Sequence, residues 1–266
     1  MAVNLVQHRD QMKFLISLSD QLRRIVSLVP SQTEYLCDLG LEKNIVGITK
    51  FCIHPASCYQ TKIRVGGTKD FSVESIRLLN PDIVIANKEE NDEEKILKLK
   101  SLYPVWISDV RTLDQAKNMM RSLGEMFKRE DKAQEIIRKI EYNFSKLQPV
   151  NRTLRTAYFI WRKPYMTVNS DTFISDMMQR AGFENCFSNA KARYPKVTEA
   201  MLKAADPEVI FLSSEPYPFK EKHFEEIRLV CPKARIFLVN GEMFSWYGSR
   251  LIQSPAYFQK LIKKLG

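Results

Sequence analysis

A chain of 266 residues with 44% apolar content can bury one large core or two modest ones. Its formal charge of +10 is high, but Lys and Arg are interleaved with glutamates and form no long basic tract, so nucleic acid is not the expected partner. Five cysteines, an odd number, make no disulfide framework and fit a reducing compartment, and no run approaches the length of a membrane span. Met1 to Asp20 holds one short apolar burst, Phe14 to Leu18, preceded by His8, Arg9, Asp10 and Lys13, and no signal-type cleavage site. The expected location is cytoplasmic, with the periplasm or cell surface as the alternative if Met12 is the start.

In chain order, Arg24 to Val29 reads as a buried strand and Pro30-Ser-Gln-Thr33 turns it into a helix that Gly40 stops. Ser31 or Thr33 then sits at a helix N-terminus, where free backbone N–H groups face any ligand, and Ser31 and Gln32 are candidate ligand contacts. Ile45 to Thr49 is a second strand, followed by a polar and aromatic loop, Lys50 to Pro55, with Phe51 and His54. Gly66-Gly67 suits a close turn. Phe71 to Leu79 is a helix, Pro81 to Ala86 a buried strand, and Asn87 to Asn91 a polar loop. A helix through Leu99 leads to the strand Val105 to Ser108.

From Thr112 to Gln148 the apolar residues recur at three- and four-residue intervals, through Met119, Met120, Leu123 and on to Ile136, Ile137 and Ile140. A short break falls between Gly124 and Asp131, and the helix beyond it is roughly 25 Å long at 1.5 Å per residue. This stretch is expected to join two α/β lobes, 1–111 and 149–266, with a ligand site in the cleft between them.

The second lobe repeats the alternation. Arg155 to Ile160 is a strand ending in the loop Trp161 to Tyr165; Asp171 to Ala181 and Val197 to Ala205 are helices. Pro207 to Leu212 mirrors Pro81 to Ala86, and Ser213 to Phe219 leaves its end. Ala234 to Val239 is followed by Gly241 to Gly248, and a last helix spans Ala256 to Leu265. Polar loops at the carboxyl ends of apolar strands are how a parallel sheet presents a binding edge.

Trp161, Tyr165, Tyr217, Trp246 and Tyr247 all fall in such loops of the second lobe. They form either a wall that buries a planar or apolar ligand, each ring covering about 150 to 250 Å², or a cover for the sheet ends. Lys50, Lys88, Arg162, Lys163 and Arg250, beside Glu89, Glu90, Glu215 and Glu242, either hold an anionic ligand or pair among themselves. Cys52, His54 and Cys58 are weak candidates for a soft metal, since this spacing is no standard zinc arrangement; His54 is the better candidate for ligand contact. His223 reads as solvated. There is no hydrolase elbow, phosphate-binding glycine loop or dinucleotide fingerprint.

The segments RIVSLVPSQTEYLCDLG, VGGTKDFSVESIRLLNPDIVIA, TFISDMMQRAGFENCF, YPKVTEAMLKAADPEVIFL and VNGEMFSWYGSRL resemble the substrate-binding proteins of ABC importers for cobalamin and iron chelates, over about residues 23 to 262. IWRKPYM, NKEEN and GEMFSWYGSR resemble more narrowly a leaderless branch of that family. The resemblance implies a two-lobed periplasmic-binding-protein-like fold of the helical-backbone metal receptor type, each lobe a mainly parallel sheet flanked by helices, joined by one long helix. It implies non-catalytic binding of a small ligand, a cobamide or other metal chelate, and an ABC permease as partner. Glu74 stands where the first docking carboxylate would be; the second position falls on Ala200, with Glu199 one residue early and so rotated by about 100° on a helix. The rival class is an intracellular enzyme acting on a small anionic or planar metabolite, with Glu215, Glu242 and His54 as its reactive groups.

Overall fold

The structure, a computed structural model, describes residues 5–19, 22–150 and 152–265; the leader reading of Met1 to Asp20 lies partly outside them. The chain divides into two compact α/β units. Unit 1 holds Met1–Val110, Asp114–Lys139 and Tyr247–Arg250; unit 2 holds Arg111–Leu113, Ile140–Trp246 and Leu251–Gly266.

Unit 1 opens on a hairpin of β1 (Leu5–Arg9) and β2 (Leu15–Ser19). The apolar burst noted at the N-terminus is thus a strand, with Ile16 and Leu18 buried and Leu15 exposed. Strands β3 (Ile25–Ser27), β4 (Ile45–Ile48), β5 (Ile63–Arg64), β6 (Ile83–Asn87) and β7 (Val105–Ser108) form a parallel sheet in the order β5-β4-β3-β6-β7. Their helices are α1 (Pro30–Asp38), α2 (Ala56–Thr61), α3 (Val73–Leu79) and α4 (Glu93–Lys100). Pro30 opens α1, where its fixed φ suits the first turn and its missing N–H costs nothing. Val26, Leu28, Val84, Ala86 and Ile107 pack with Ile76 and Leu99 into an aliphatic core, each large side chain stabilising by roughly 1.5–3 kcal/mol on burial.

The expected connection is a pair of helices, α5 (Leu113–Met126) and α6 (Glu130–Ser145). The break falls where the sequence placed it: Lys128 takes φ 55°, and Arg129 N–H donates to the Gly124 carbonyl at 2.7 Å. A Cβ on Gly124 would stand 2.5 Å from the Ala133 Cβ, so this corner needs glycine. The chain passes from unit 1 to unit 2 inside α6, after Lys139.

Unit 2 follows with β8 (Leu154–Phe159), β9 (Tyr165–Met166), α7 (Phe173–Arg180), β10 (Phe183–Asn185), β11 (Lys196–Val197), α8 (Glu199–Ala205), β12 (Val209–Ser213), α9 (Phe224–Val230), β13 (Arg235–Val239), α10 (Glu242–Ser245) and α11 (Ser254–Lys263). Its parallel sheet runs β10-β8-β12-β13, and β9 pairs with β11 as a small antiparallel ribbon. The core here is aromatic: Phe211 meets Tyr158, Phe183, Phe237 and Phe244 at centroid distances of 4.9–6.5 Å. Both units follow the same logic, apolar parallel strands buried under helices. Among the described residues no helix is long and apolar enough to cross a membrane.

Candidate functional site

Because each main sheet is parallel, the loops leaving its strands share one edge, and the candidate residues fall on these edges. In unit 1 that edge is dominated by a polar network. Asn87, the last residue of β6, accepts from the N–H groups of Glu89 and Glu90 at 2.8 and 2.9 Å, and its amide donates to Ser108 Oγ at 3.0 Å. Asn91 folds back on the Asn87 N–H at 2.8 Å and donates to the Thr68 carbonyl. Gln32 Nε2 donates to Ser108 Oγ as well. Ser31 and Gln32 are buried at the start of α1, and the Ser31 hydroxyl and Gln32 Oε1 have no hydrogen-bond partner there. Phe51 lies 50% exposed with the Lys50 ammonium 5.3 Å from its ring centroid, which leaves its ring available to a ligand. His54 is half-buried and close enough to act on the Glu34 carboxylate.

Two candidate residues in unit 1 have partners within the protein. Arg250, read either as an anion holder or as a member of an internal ion pair, makes a bidentate pair with Glu34 at 2.6 and 2.9 Å and is buried. Burial pushes the Glu34 carboxyl up from its ordinary value, against the pull of Arg250. Tyr247, expected in the second lobe's aromatic wall, belongs to unit 1, where its hydroxyl donates to Glu90 Oε1 at 2.6 Å. Next to it Gly248 lies against the Ser31 carbonyl so closely that a Cβ would come within 2.7 Å, and Ser249 hydrogen-bonds Asp38. Residues 247–250 thus form a strap fastened along α1.

The metal reading fails on geometry. Cys52 Sγ lies 3.2 Å from the Thr33 hydroxyl and 3.1 Å from that of Thr49, and Cys58 is buried. No group of three or more His, Cys, Asp or Glu suited to a metal occurs among the described residues.

In unit 2 the same edge is aromatic. Trp161, at the end of β8, is 41% exposed and set edge-on to Tyr217 at 5.8 Å. Tyr217 in turn meets Phe219 at 4.8 Å, and Tyr165 stacks on Phe219 at 6.5 Å. Arg162 does not point a free guanidinium at a ligand: Nε and Nη2 grip Glu226 at 3.0 and 2.5 Å, and Tyr165 donates to the same carboxylate at 2.8 Å. The Glu226 carboxyl is held low by Arg162, and burial with that carboxylate pushes the Tyr165 hydroxyl up to about 12. Lys163 is exposed between these residues, with φ 60°.

His223 corrects the expectation of a solvated residue. It is buried, its Nδ1 accepts from the Lys220 N–H at 2.9 Å, and its Nε2 lies 3.5 Å from the Tyr217 hydroxyl. Burial holds its pKa below the usual imidazole value.

Glu215 is committed: its Oε1 accepts from the Ser245 hydroxyl at 2.8 Å and from Trp246 Nε1 at 2.9 Å. Trp246 is pinned with 6% of its surface exposed, so it braces the loop and offers little face. Glu242 starts α10, half-buried, and lines a hollow of about 410 Å³ with Ser214, Phe219 and Asn240. A larger hollow of about 760 Å³ lies at the amino ends of the strands, around Leu154, Glu208 and Arg235, away from these loops. Phe219, His223 and Glu226 went unrecognised as partners in the sequence; only the recurrence of aromatics around Pro216 and Pro218 hinted at them.

Glu74 and Glu199 are both exposed in the first turns of their helices. Ser72 caps α3, which puts Glu74 at its second residue; Thr198 caps α8, whose second residue is Ala200, with Glu199 at the first.

The comparisons agree with this architecture. The family model for the periplasmic binding protein matches residues 25–229. A vitamin B12-binding protein of Vibrio parahaemolyticus is 28% identical over 203 residues, 75% of this chain and 74% of that protein. The crystal structure of the periplasmic vitamin B12 binding protein BtuF of Vibrio cholerae superposes with a TM-score of 0.75 at 21% identity, covering 91% of this chain and 97% of that one. A periplasmic heme binding protein from Pseudomonas aeruginosa gives 0.75 at 18% identity, covering 91% and 93%. With the matched stretch covering most of the sequence, the chain belongs to the periplasmic binding protein family.

Proposed function

We propose that this chain binds a small ligand with a planar, largely apolar face, a cobamide or comparable metal chelate, and does not transform it. The observation that carries this is Trp161: a tryptophan kept exposed at a strand end while Tyr217, Tyr165, Arg162 and Glu226 fix the loop beneath it. A rigid exposed ring loses little freedom when a ligand covers it, which is what a binding surface requires. The enzyme alternative loses support because Glu215 is occupied by Ser245 and Trp246, and among the described residues no acid and base pair with separated roles stands out. The relatives named for vitamin B12 and the neighbour named for heme give the ligand class its direction.

A permease partner goes with the alternative, periplasmic or cell-surface location, since a protein inside the cell cannot deliver a ligand to the outer mouth of an importer. Glu74 is supported as a docking carboxylate by its exposure, whereas Ala200 at the matching position of α8 leaves Glu199 to serve from a different direction. We further propose a cytoplasmic location, supported by five free thiols; recovery of the protein with a periplasmic or surface marker on cell fractionation would overturn it.

The deciding experiment is titration with cobinamide, cobalamin and haem, followed by absorbance. Trp161→Ala should weaken the responsive ligand by roughly 10- to 30-fold, about 1.4–2 kcal/mol, without changing the fold's circular dichroism. If none of the three binds below millimolar concentration, the ligand class is wrong. Equal binding by wild type and Trp161→Ala would remove the aromatic wall from the site.

A further inference from the structure

Tyr217, the ring against which Trp161 is set edge-on at 5.8 Å, has a support of its own. His223 ends the short turn Glu221–His223 and is 3% exposed. Its ring packs against Tyr217 and Phe219, each at a centroid distance of 5.6 Å. One side chain therefore separates the buried imidazole from the exposed tryptophan. The same imidazole closes the turn, since Nδ1 accepts from the Lys220 N–H at 2.9 Å while Nε2 lies 3.5 Å from the Tyr217 hydroxyl.

A ring nitrogen that accepts an N–H carries no proton, so this contact specifies the neutral imidazole with its proton on Nε2. A proton on Nδ1 would face the Lys220 N–H donor to donor, leaving a buried turn with a lost acceptor and a charge to place. The surroundings oppose that charge. Arg162, from the loop after β8, and Lys222, on the turn itself, are both cations acting on the ring. Glu226, three residues on in α9, favours it, but its oxygens already accept from Arg162 and Tyr165.

We propose that His223 is the positioning residue of the aromatic edge: its neutral imidazole holds residues 217–223 beneath Trp161, and a proton taken from water onto Nδ1 breaks the Lys220 contact and frees Tyr217 and Trp161 to move. Burial, then the two cations, hold the imidazole pKa below its usual value in the folded chain. For a base, a depressed folded value means that the fold favours the neutral form. The hold is therefore complete above the unfolded value of about 6.5 and is lost as pH falls below it and through the folded one. Acid should loosen the Trp161 face and weaken whatever it binds. That last consequence rests on the binding role proposed for Trp161; the hold on the ring does not.

The test uses the full chain carrying 5-fluorotryptophan, without ligand. Three tryptophans give three fluorine resonances, and the one absent in Trp161→Phe belongs to Trp161. The three histidine rings are followed in long-range proton–nitrogen spectra, His8→Asn and His54→Asn leaving His223 by elimination. At pH 8 the His223 Nδ1 should carry no proton. Between pH 8 and pH 4.5 the His223 ring and the Trp161 resonance should titrate with one midpoint, below about 6.5, and Trp106 should not follow. Asparagine keeps an acceptor where Nδ1 stood and cannot be charged, so His223→Asn should hold the Trp161 signal in its pH 8 state throughout. His223→Ala should show the acid-state signal at every pH. With whichever chromophore binds, affinity should fall by about fivefold or more over this range in the wild type and by less than about twofold in His223→Asn, which also removes the ligand's own titration from the comparison.

A protonated Nδ1 at pH 8, no His223 titration down to pH 4.5, a titration that leaves the Trp161 resonance unmoved, or an acid response that survives in His223→Asn overturns the proposal. The shared wild-type midpoint decides it even if neither His223 variant folds. Failure of cobinamide, cobalamin and haem to bind would count against the ligand class alone, because the coupling is read without ligand.

Discussion

Ser72 to Asn87 in unit 1 and Thr198 to Ser213 in unit 2 follow one plan with a single identical residue, Pro81 matching Pro207. Each begins with a hydroxyl cap, Ser72 accepting from the Ser75 N–H at 3.1 Å and Thr198 from Met201 at 3.2 Å. Each runs seven helical residues and ends on a left-handed Asn80 or Asp206, both at φ 41°. Short polar side chains tolerate that conformation. After the proline, an acid ties the new strand to its neighbour: Asp82 accepts from the Arg23 and Arg24 N–H groups, and Glu208 from Arg155. Arg24 and Arg155 then reach back to the last carbonyls of α3 and α8, where a cation also suits the helix dipole. The plan is thus held by backbone demands that different residues can meet.

Past that point the units diverge, and the divergence explains their edges. By register, Ser27 and Ile85 in unit 1 correspond to Tyr158 and Phe211 in unit 2. Small and polar side chains beneath the unit 1 edge let the Thr33 hydroxyl bond Ser27 at 2.7 Å and leave room for the Gln32, Asn87 and Ser108 network. In unit 2 Phe211 and Tyr158 sit among rings on one face of the sheet, and on the other face Phe159 meets Tyr165, which stacks on Phe219 beside the Trp161 loop. One edge is polar and hydrogen-bonded; the other is apolar and presents ring edges. The proposed seat of a planar apolar ligand is accordingly on the second.

The sharpest way to break this comparison is at the matched strand position. Phe211→Ala removes a ring that touches four others, and should destabilise the protein by about 3–5 kcal/mol. Ile85→Phe adds volume where the side chain is wholly buried and should cost about 1–3 kcal/mol through overpacking. Urea denaturation measures both. If either change costs less than 1 kcal/mol, the two sheets do not differ in packing as described.

A smaller effect sharpens the part the units share. Asp82→Ala strips the acceptor from two backbone N–H groups at 2.7 and 2.9 Å, and should cost about 1–2 kcal/mol, whereas Glu208→Ala strips one at 3.1 Å and should cost about half as much. Hydrogen exchange in α3 and α8 reads each site separately. Equal effects, or a larger one at Glu208, would mean that the strand tie is not what these acids supply.

Much of this plan was legible because its signals are local. A proline followed by an acid and a run of Ile, Val or Phe marks a buried parallel strand, and the caps at Ser72 and Thr198 stand just ahead of their helices. The gap between α5 and α6 was legible from Gly124 and the charges after it. The short pieces were not: α2, β9 and β11 span six residues or fewer, below the length at which periodicity means anything. The site was legible only in outline. Loop residues were read at strand ends, but their partners lie far along the chain, Glu226 sixty-four residues from Arg162, Glu90 157 from Tyr247, and Glu34 216 from Arg250. Spacing cannot reveal such pairs, so which of these side chains are fastened inside the protein was not legible.

The smallest expected effect isolates electrostatics from the shared geometry. Arg152, at 2.7 Å, and the Arg155 N–H hold the Glu208 carboxyl below its ordinary value in the folded chain. A depressed folded pKa means that the folded state favours the charged form. The stabilisation is therefore complete above the unfolded carboxyl pKa of about 4.3 and disappears as pH falls through the lower folded value. The pair is well exposed, so Glu208→Gln should cost only a few tenths of a kcal/mol to about 1 at neutral pH. That difference should shrink to nothing in acid and weaken with added salt. Asp82 lacks an arginine side-chain partner among the described ion pairs, so Asp82→Asn should show the weaker salt dependence of the two. A Glu208→Gln difference that persists unchanged at pH 3 would assign the effect to shape or hydrogen bonding and leave the charge without a role.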